Sequence, residues 1–372
     1  LTNQAPFTQV VIDSGAYNSK GTYRLLLNMI EAIIAVNGTL PVNLMFISEG
    51  EEEIGSPNFP FIVGRYAERL QQAEALLDIE ASQNKEGKVV VKLGNKGIVY
   101  LELIVSGKMW GRGPTKEPIH SSYKAVVDNP AWRLVHALST LTAPDGNEVT
   151  IDGFYDHIAS PSRTDEMLID QLTEAIDEST YAELWGVPRW MNDLQGRDWI
   201  KHYLFASCLN IDGLEAGHAG PGTLTIVPHE ARAKIDLRLV PNMQPEHIIQ
   251  ILRTHLDQHG YSDIEIKPHA AYNWNKTHPD ALAVQAMLQV YDAQNIPYEI
   301  WPQSAGSEPL YLFTHPPFCL PMVRIGLGHG ARNHAPDEYL VVEGYGKVAG
   351  IEEIERAFVD FLFTLADLPC TK

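Results

Sequence analysis

Pro41 to Ile47, running into Ser48-Glu49-Gly50-Glu51-Glu52-Glu53-Ile54-Gly55-Ser56, is the stretch whose reading decides the fold. Its apolar half predicts a short buried strand. Its acidic half then sits at the carboxyl end of that strand, where open α/β sheets place their ligands. Upstream, Leu25, Leu26, Met29, Ile30, Ile33 and Ile34 recur at three- and four-residue spacing between Lys20 and Asn37, which predicts a helix with one buried face. Downstream, a helix over 65–75 and a strand over 76–79 are expected, with Glu80 just past the strand. This alternation is that of a mostly parallel α/β sheet.

From Lys88 the pattern changes to β-rich segments around Val89, Val91, Ile98, Tyr100, Glu102 and Ile104, with a Gly-Asn-Lys-Gly turn at 94–97. Helices are expected over 129–141, 165–178 and 245–259, and a strand over 231–240, which together make an α+β unit. A helix over 281–294, a strand over 322–326 and a closing helix over 348–365 return to the first pattern. The expected organisation is therefore a first domain over 1–97 and 275–372, interrupted by an inserted lid over 98–274. The 372 residues favour two domains, and 45% hydrophobic content is enough for a full core.

A formal charge of −19, from 28 basic and 47 acidic residues, repels phosphate backbones and anionic membranes, so neither nucleic acid nor a membrane is an expected partner. Cys208, Cys319 and Cys370 have no metal-ribbon spacing and are too few for a disulfide framework, which fits a reducing compartment; a cytoplasmic location is the expectation. No GxSxG elbow is present, and Gly326-Leu327-Gly328-His329-Gly330-Ala331 lacks the third glycine of a dinucleotide fingerprint.

Adjacent carboxylates repel one another unless a cation or solvent offsets them. A bound metal resolves the repulsion in the Glu49–Glu53 run; a solvated acidic turn is the alternative. A histidine at a later strand end strengthens the metal reading, and Asn333-His334-Ala335-Pro336-Asp337-Glu338 supplies one after a glycine-rich turn.

These segments resemble the zinc-dependent aminoacylase, acetylornithine deacetylase, carboxypeptidase G and carnosinase-type dipeptidase family of metallopeptidases. Glu49-Gly50-Glu51-Glu52-Glu53-Ile54-Gly55-Ser56 is similar to its E-G-x-E-E-x-G-S motif, and His334 to Glu338 to its H-x-P-N-E motif. Asn18-Ser19-Lys20-Gly21 is similar to its D-x-K-G, and Ile235 to Asn242 to its arginine-bearing lid strand. The resemblance implies a zinc-peptidase-like catalytic domain with an inserted dimerisation lid. It implies a hydrolase that cleaves an amide bond in a dipeptide or N-acyl amino acid, with metal-bound water as nucleophile and Glu52 as general base.

By the same resemblance Glu53, Glu80 and His334 are metal ligands, and Asn18 stands in place of the bridging aspartate. His120, supplied across a homodimer interface, stabilises the oxyanion. Arg238, Ser307 and Asn242 contact the substrate. Zinc is implied at one or two ions per chain, with manganese or cobalt acceptable to the same donors.

Two departures bear on this reading. Asn18 offers a neutral carbonyl where a carboxylate would bridge two cations, and no histidine precedes His120, so the H-x-D motif is missing. Ala5-Pro6-Phe7 resembles a stretch well inside the family's first domain, and the expectation is that the sequence begins there, lacking on the order of a hundred residues. The alternatives are a single-metal amidohydrolase or hydrolytic deaminase of the same fold, or an inactive homologue acting as a binding subunit.

Overall fold

The computed structural model describes residues 6–369; Ala5 and Cys370 lie outside the described residues. Lys20–Asn37 is helical and ends at Gly38, whose φ of 77° suits a left-handed C-cap. It buries Leu25, Leu26, Met29 and Ile33, while Ile34 is 47% exposed and so lies off the expected face. This helix packs with the Leu282–Ala293 and Ile351–Asp367 helices around one apolar cluster that includes Tyr291, Phe358 and Phe361. The first and last thirds of the chain thus share a core.

Two parallel strand pairs join these same thirds. Leu76–Ile79 pairs with Met322–Ile325, and Val89–Lys92 with Tyr298–Trp301. An antiparallel set of Val10–Ile12, Tyr339–Val341 and Gly330–Ala331 brings the early chain against the His334 segment.

The expected strand over Pro41–Ile47 does not form: its backbone runs irregularly, and Met45 and Phe46 are 41% and 43% exposed. A strand needs a ladder partner for its N–H and C=O groups, and no described strand pairs with this segment. The expected helix over 65–75 is instead two short helices, Phe59–Arg65 and Ala67–Leu70. Phe59, Val63 and Leu70 anchor them against Phe313 and Leu320.

The inserted unit is built on an antiparallel sheet in the spatial order Glu265–Tyr272, Gly97–Ser106, Glu230–Leu239, Cys208–Ala216. Val99, Leu101, Leu103 and Val105 alternate along one strand, and Ala231, Ala233, Ile235 and Leu237 along the next. They give the sheet a fully buried face. Helices Pro130–Leu138 and Pro245–Gln258 cover that face. Asn129 starts the first of these by accepting the Ala131 N–H at 2.8 Å, the expected role of an N-cap asparagine. Gly94–Asn95 pairs with Asn275–Lys276 where the chain leaves and re-enters the first unit. Among the described residues no helix is long and apolar enough to cross a membrane.

One glycine controls the approach of two strands at the site. Gly326 follows the Met322–Ile325 strand with a φ of 149°, and a Cβ there would lie 1.7 Å from the carbonyl oxygen of Glu80. Gly326→Ala is expected to lower the unfolding free energy in urea by about 1–3 kcal/mol, because the backbone of the facing strand must move. Gly50→Ala, with no atom within 4 Å of the added carbon, serves as the control. Equal stability of the two variants would contradict the close-packed junction.

Candidate metal centre

The acidic turn divides its four glutamates into two pairs. Glu49 accepts the Ser56 hydroxyl and, at 3.3 Å, the Glu51 N–H, while the Asn58 amide donates to both oxygens of Glu51 at 2.9 and 3.0 Å. These two carboxylates brace the turn. Gly55 closes it at φ 91° and buried Ser56 locks it from below. Glu52 and Glu53 remain for the site. Burial, with the negative charges of Glu53, Glu308 and Glu49, pushes the Glu52 carboxyl above its ordinary value, and His334 eases the shift. A carboxylate made more basic in this way is suited to proton transfer.

Glu53, Asn18 and His334 meet although they come from three distant segments. Glu53 Oε2 lies 3.0 Å from His334 Nε2, Glu53 Oε1 accepts the Asn18 amide at 3.0 Å, and Asn18 Nδ2 lies 3.4 Å from His334 Nε2. The Glu53 and His334 side chains are 57% and 66% exposed, so solvent can reach them. The His334 loop holds its turn with a left-handed residue at φ 64° and an Arg332–Asp337 ion pair at 2.6 Å.

Glu338 has a function the sequence reading did not assign. Only 2% exposed, it accepts the backbone N–H groups of Tyr17 and Asn18 at 2.8 and 2.7 Å through one oxygen. Burial works against its charge, but the N–H groups of Asn18, Tyr17, Gly15 and His334 outweigh it and hold its pKa below the ordinary value. One carboxylate therefore fixes the backbone of both segments that bring Asn18 and His334 to Glu53. The signal was the final acid of His334-Ala335-Pro336-Asp337-Glu338, noted as part of a motif but given no task.

Glu80 lies in a different ionic group. Its oxygens are 3.3 Å from Lys92 Nζ and 3.3 Å from Arg324 Nε. Burial alone would raise its pKa, but Arg324, Lys92 and the Tyr17 hydroxyl hold it low. Arg324 is 5% exposed and also pairs with Asp78, at 2.6 Å, and with Glu308.

The substrate-binding candidates form a second grouping. Arg238 Nε donates to Asp236 at 2.8 Å and its Nη1 to the Ser307 hydroxyl at 3.1 Å, which in turn donates to the Gly97 carbonyl. Asn242 is exposed in the turn after the Glu230–Leu239 strand, with φ 75°, a conformation asparagine tolerates. His120 is exposed on the inserted unit, its ring nitrogens beside the hydroxyls of Ser122 at 2.8 Å and Thr225 at 3.3 Å.

Among the described residues no three His, Cys, Asp or Glu side chains come together as a ready metal cage. The Glu53 carboxylate and His334 imidazole nevertheless supply two donors of the type zinc takes, and the Asn18 carbonyl, on turning its amide over, would supply a third. This set fits one divalent ion with positions left for water and substrate.

Glu338→Gln is expected to cost about 2 kcal/mol at pH 7 by losing charge-assisted hydrogen bonds. Since the folded carboxyl titrates below its ordinary 4.5, the wild-type advantage is full above that pH and disappears as the pH falls through the lower folded value. Urea unfolding at pH 7 and pH 3 reads the difference; a gap unchanged between the two would contradict the assignment.

Residues 93–264 match the family model described as the peptidase dimerisation domain. The Cys-Gly metallodipeptidase of Schizosaccharomyces pombe is 27% identical over 278 residues, covering 72% of this chain and 56% of that protein. The beta-Ala-His dipeptidase of Rattus norvegicus is 26% identical over 263 residues, covering 68% of this chain and 50% of that protein. The chain thus spans about half the length of these curated relatives. An M20 family metallo-carboxypeptidase from Sulfolobus solfataricus superposes with a TM-score of 0.83 at 29% identity, over 96% of this chain and 77% of that one. The chain is thus similar to the M20 metallopeptidases in its mixed α/β fold and, at residues 93–264, to the peptidase dimerisation domain.

Proposed function

We propose that this chain belongs to a metal-dependent hydrolase that cleaves the amide bond of a dipeptide or an N-acyl amino acid. The observation that carries the reading is the meeting of Glu53, His334 and Asn18 beside Glu52, from segments up to 316 residues apart. The names of the two dipeptidase relatives support the substrate class.

Glu53 and His334 would hold the ion, with Asn18 as a neutral third partner; zinc, manganese and cobalt all suit these donors. When bound, the ion would supply Lewis acidity toward the carbonyl and lower the pKa of water beside it. Glu52 accepts the proton from the attacking water and returns it to the leaving amine, a task its raised basicity favours. Arg238 and Ser307 clasp the substrate carboxylate, for which a planar guanidinium fork is suited. Asn242 lines the turn beyond the arginine strand.

Residues 1–97 and 275–372 serve as the catalytic unit and 98–274 as the lid. A homodimer fits the Cys208–Ala216 edge strand, which exposes Ile211 and Leu214 at 48% and 57%. In it, His120 from one copy would face the other's substrate carbonyl as an oxyanion stabiliser. The cytoplasm is the proposed compartment.

A second reading, an inactive homologue that binds its ligand, is favoured by one feature: Asn18 stands where two cations would need a bridging carboxylate. Turnover separates the two. In full-length protein supplied with zinc, assayed on free and carboxyl-amidated dipeptides, Glu52→Gln is expected to lower kcat about 10²- to 10⁴-fold with bound zinc retained. Arg238→Ala should raise KM about 10- to 100-fold for free dipeptides and leave amidated ones little changed. A zinc-loaded wild type that turns over none of them would favour the binding subunit.

A further inference from the structure

The Arg324 cluster takes no part in the reaction outlined above, yet it contains a residue that family resemblance assigns to a metal. Arg324 and Asp78 are direct register partners in the Met322–Ile325 and Leu76–Ile79 pair, so the sheet itself sets the guanidinium against that carboxylate. Glu308 joins from the loop that carries Ser307, and Glu80 from just beyond the strand end. Lys92 Nζ lies 3.3 Å from one Glu80 oxygen and 3.4 Å from the other. Both oxygens of Glu80 therefore face fixed cations.

A ligand must offer its lone pair to the ion at roughly 2 Å. An ion that close to Glu80 would sit a few ångströms from a guanidinium that keeps its charge at every physiological pH, and the two would repel. Pulling Glu80 away would also strip compensation from a cation that is 5% exposed.

We infer that Arg324, aided by Lys92, is a built-in cation that takes the part of a second metal ion, so that Asp78, Glu80 and Glu308 bind no metal. The corollary, that a single ion binds at Glu53 and His334, rests on the proposed hydrolase reading; the role of Arg324 does not. The guanidinium also holds Glu308, and with it the loop presenting Ser307 to Arg238, whether or not the ion is bound. Arg324 is thus a positioning residue.

The test is zinc per chain in full-length protein saturated with zinc and freed of excess by gel filtration, with affinities from competition against a chromophoric chelator. Arg324→Met would leave three partly buried carboxylates without their shared guanidinium and can unfold the chain, so the informative variants are Glu80→Gln and Glu53→Gln. One zinc in the wild type is expected, unchanged in number and within about twofold in affinity in Glu80→Gln. A loss exceeding about a hundredfold is expected in Glu53→Gln, since removing a direct ligand should cost more than removing the partner of a ligand. Two zinc ions in the wild type, or loss of zinc in Glu80→Gln, would overturn the inference. No zinc in wild type and Glu80→Gln alike would agree with a metal-free cluster and overturn the hydrolase reading instead.

Discussion

A guanidinium enclosed by Asp78, Glu80 and Glu308 is the interaction on which the strand-end side of the first unit rests. A chain carrying 47 acidic residues against 28 basic ones must find cations wherever its fold gathers carboxylates. Here the fold gathers them at the carboxyl ends of two parallel strands, and Arg324 arrives on one of those strands. Removing the buried guanidinium from this network leaves Asp78 and Glu308 without their cation, at a cost of several kcal/mol. The cluster therefore ties the strand pair to the Ser307 loop, while apolar packing ties the helices behind it.

Glu338 plays the complementary part on the other side of the site. It offers one buried carboxylate to backbone donors instead of to a basic side chain, which keeps the Tyr17–Asn18 turn and the His334 loop in fixed relation. With those two segments set, Glu53 needs only the braced acidic turn to reach His334. The first and last thirds of the chain meet here through hydrogen bonds and, behind the sheet, through the shared core of Met29, Tyr291 and Phe358. Between these thirds the antiparallel unit brings Arg238 to Ser307, the one described side-chain hydrogen bond from the arginine strand to that loop used in the proposed reaction.

The long periodic segments were legible in the sequence: the helix over 245–259 forms as Pro245–Gln258, and the strand over 231–240 as Glu230–Leu239. Their apolar spacing alone is enough to orient them against a core. Pro41–Ile47 was not legible, because an apolar run carries no information on whether a neighbouring strand will pair with it. At the site, the meeting of Asn18, Glu53 and His334 followed from motif resemblance, which encodes three-dimensional proximity that spacing cannot. The partner of Glu80 was hidden for the opposite reason. Arg324 lies 244 residues away inside an apolar strand, Met322-Val323-Arg324-Ile325, and only the register of a parallel pair sets it opposite Asp78. The buried arginine in that strand was the one available hint, since such a residue demands an anionic partner.

The most direct test of the account is anomalous diffraction at the zinc edge from crystals of the zinc-loaded protein. The account predicts one peak per chain, between Glu53 and His334, with Arg324 still seated against Asp78, Glu80 and Glu308. A second peak at Glu80, with the guanidinium displaced from it, would contradict it.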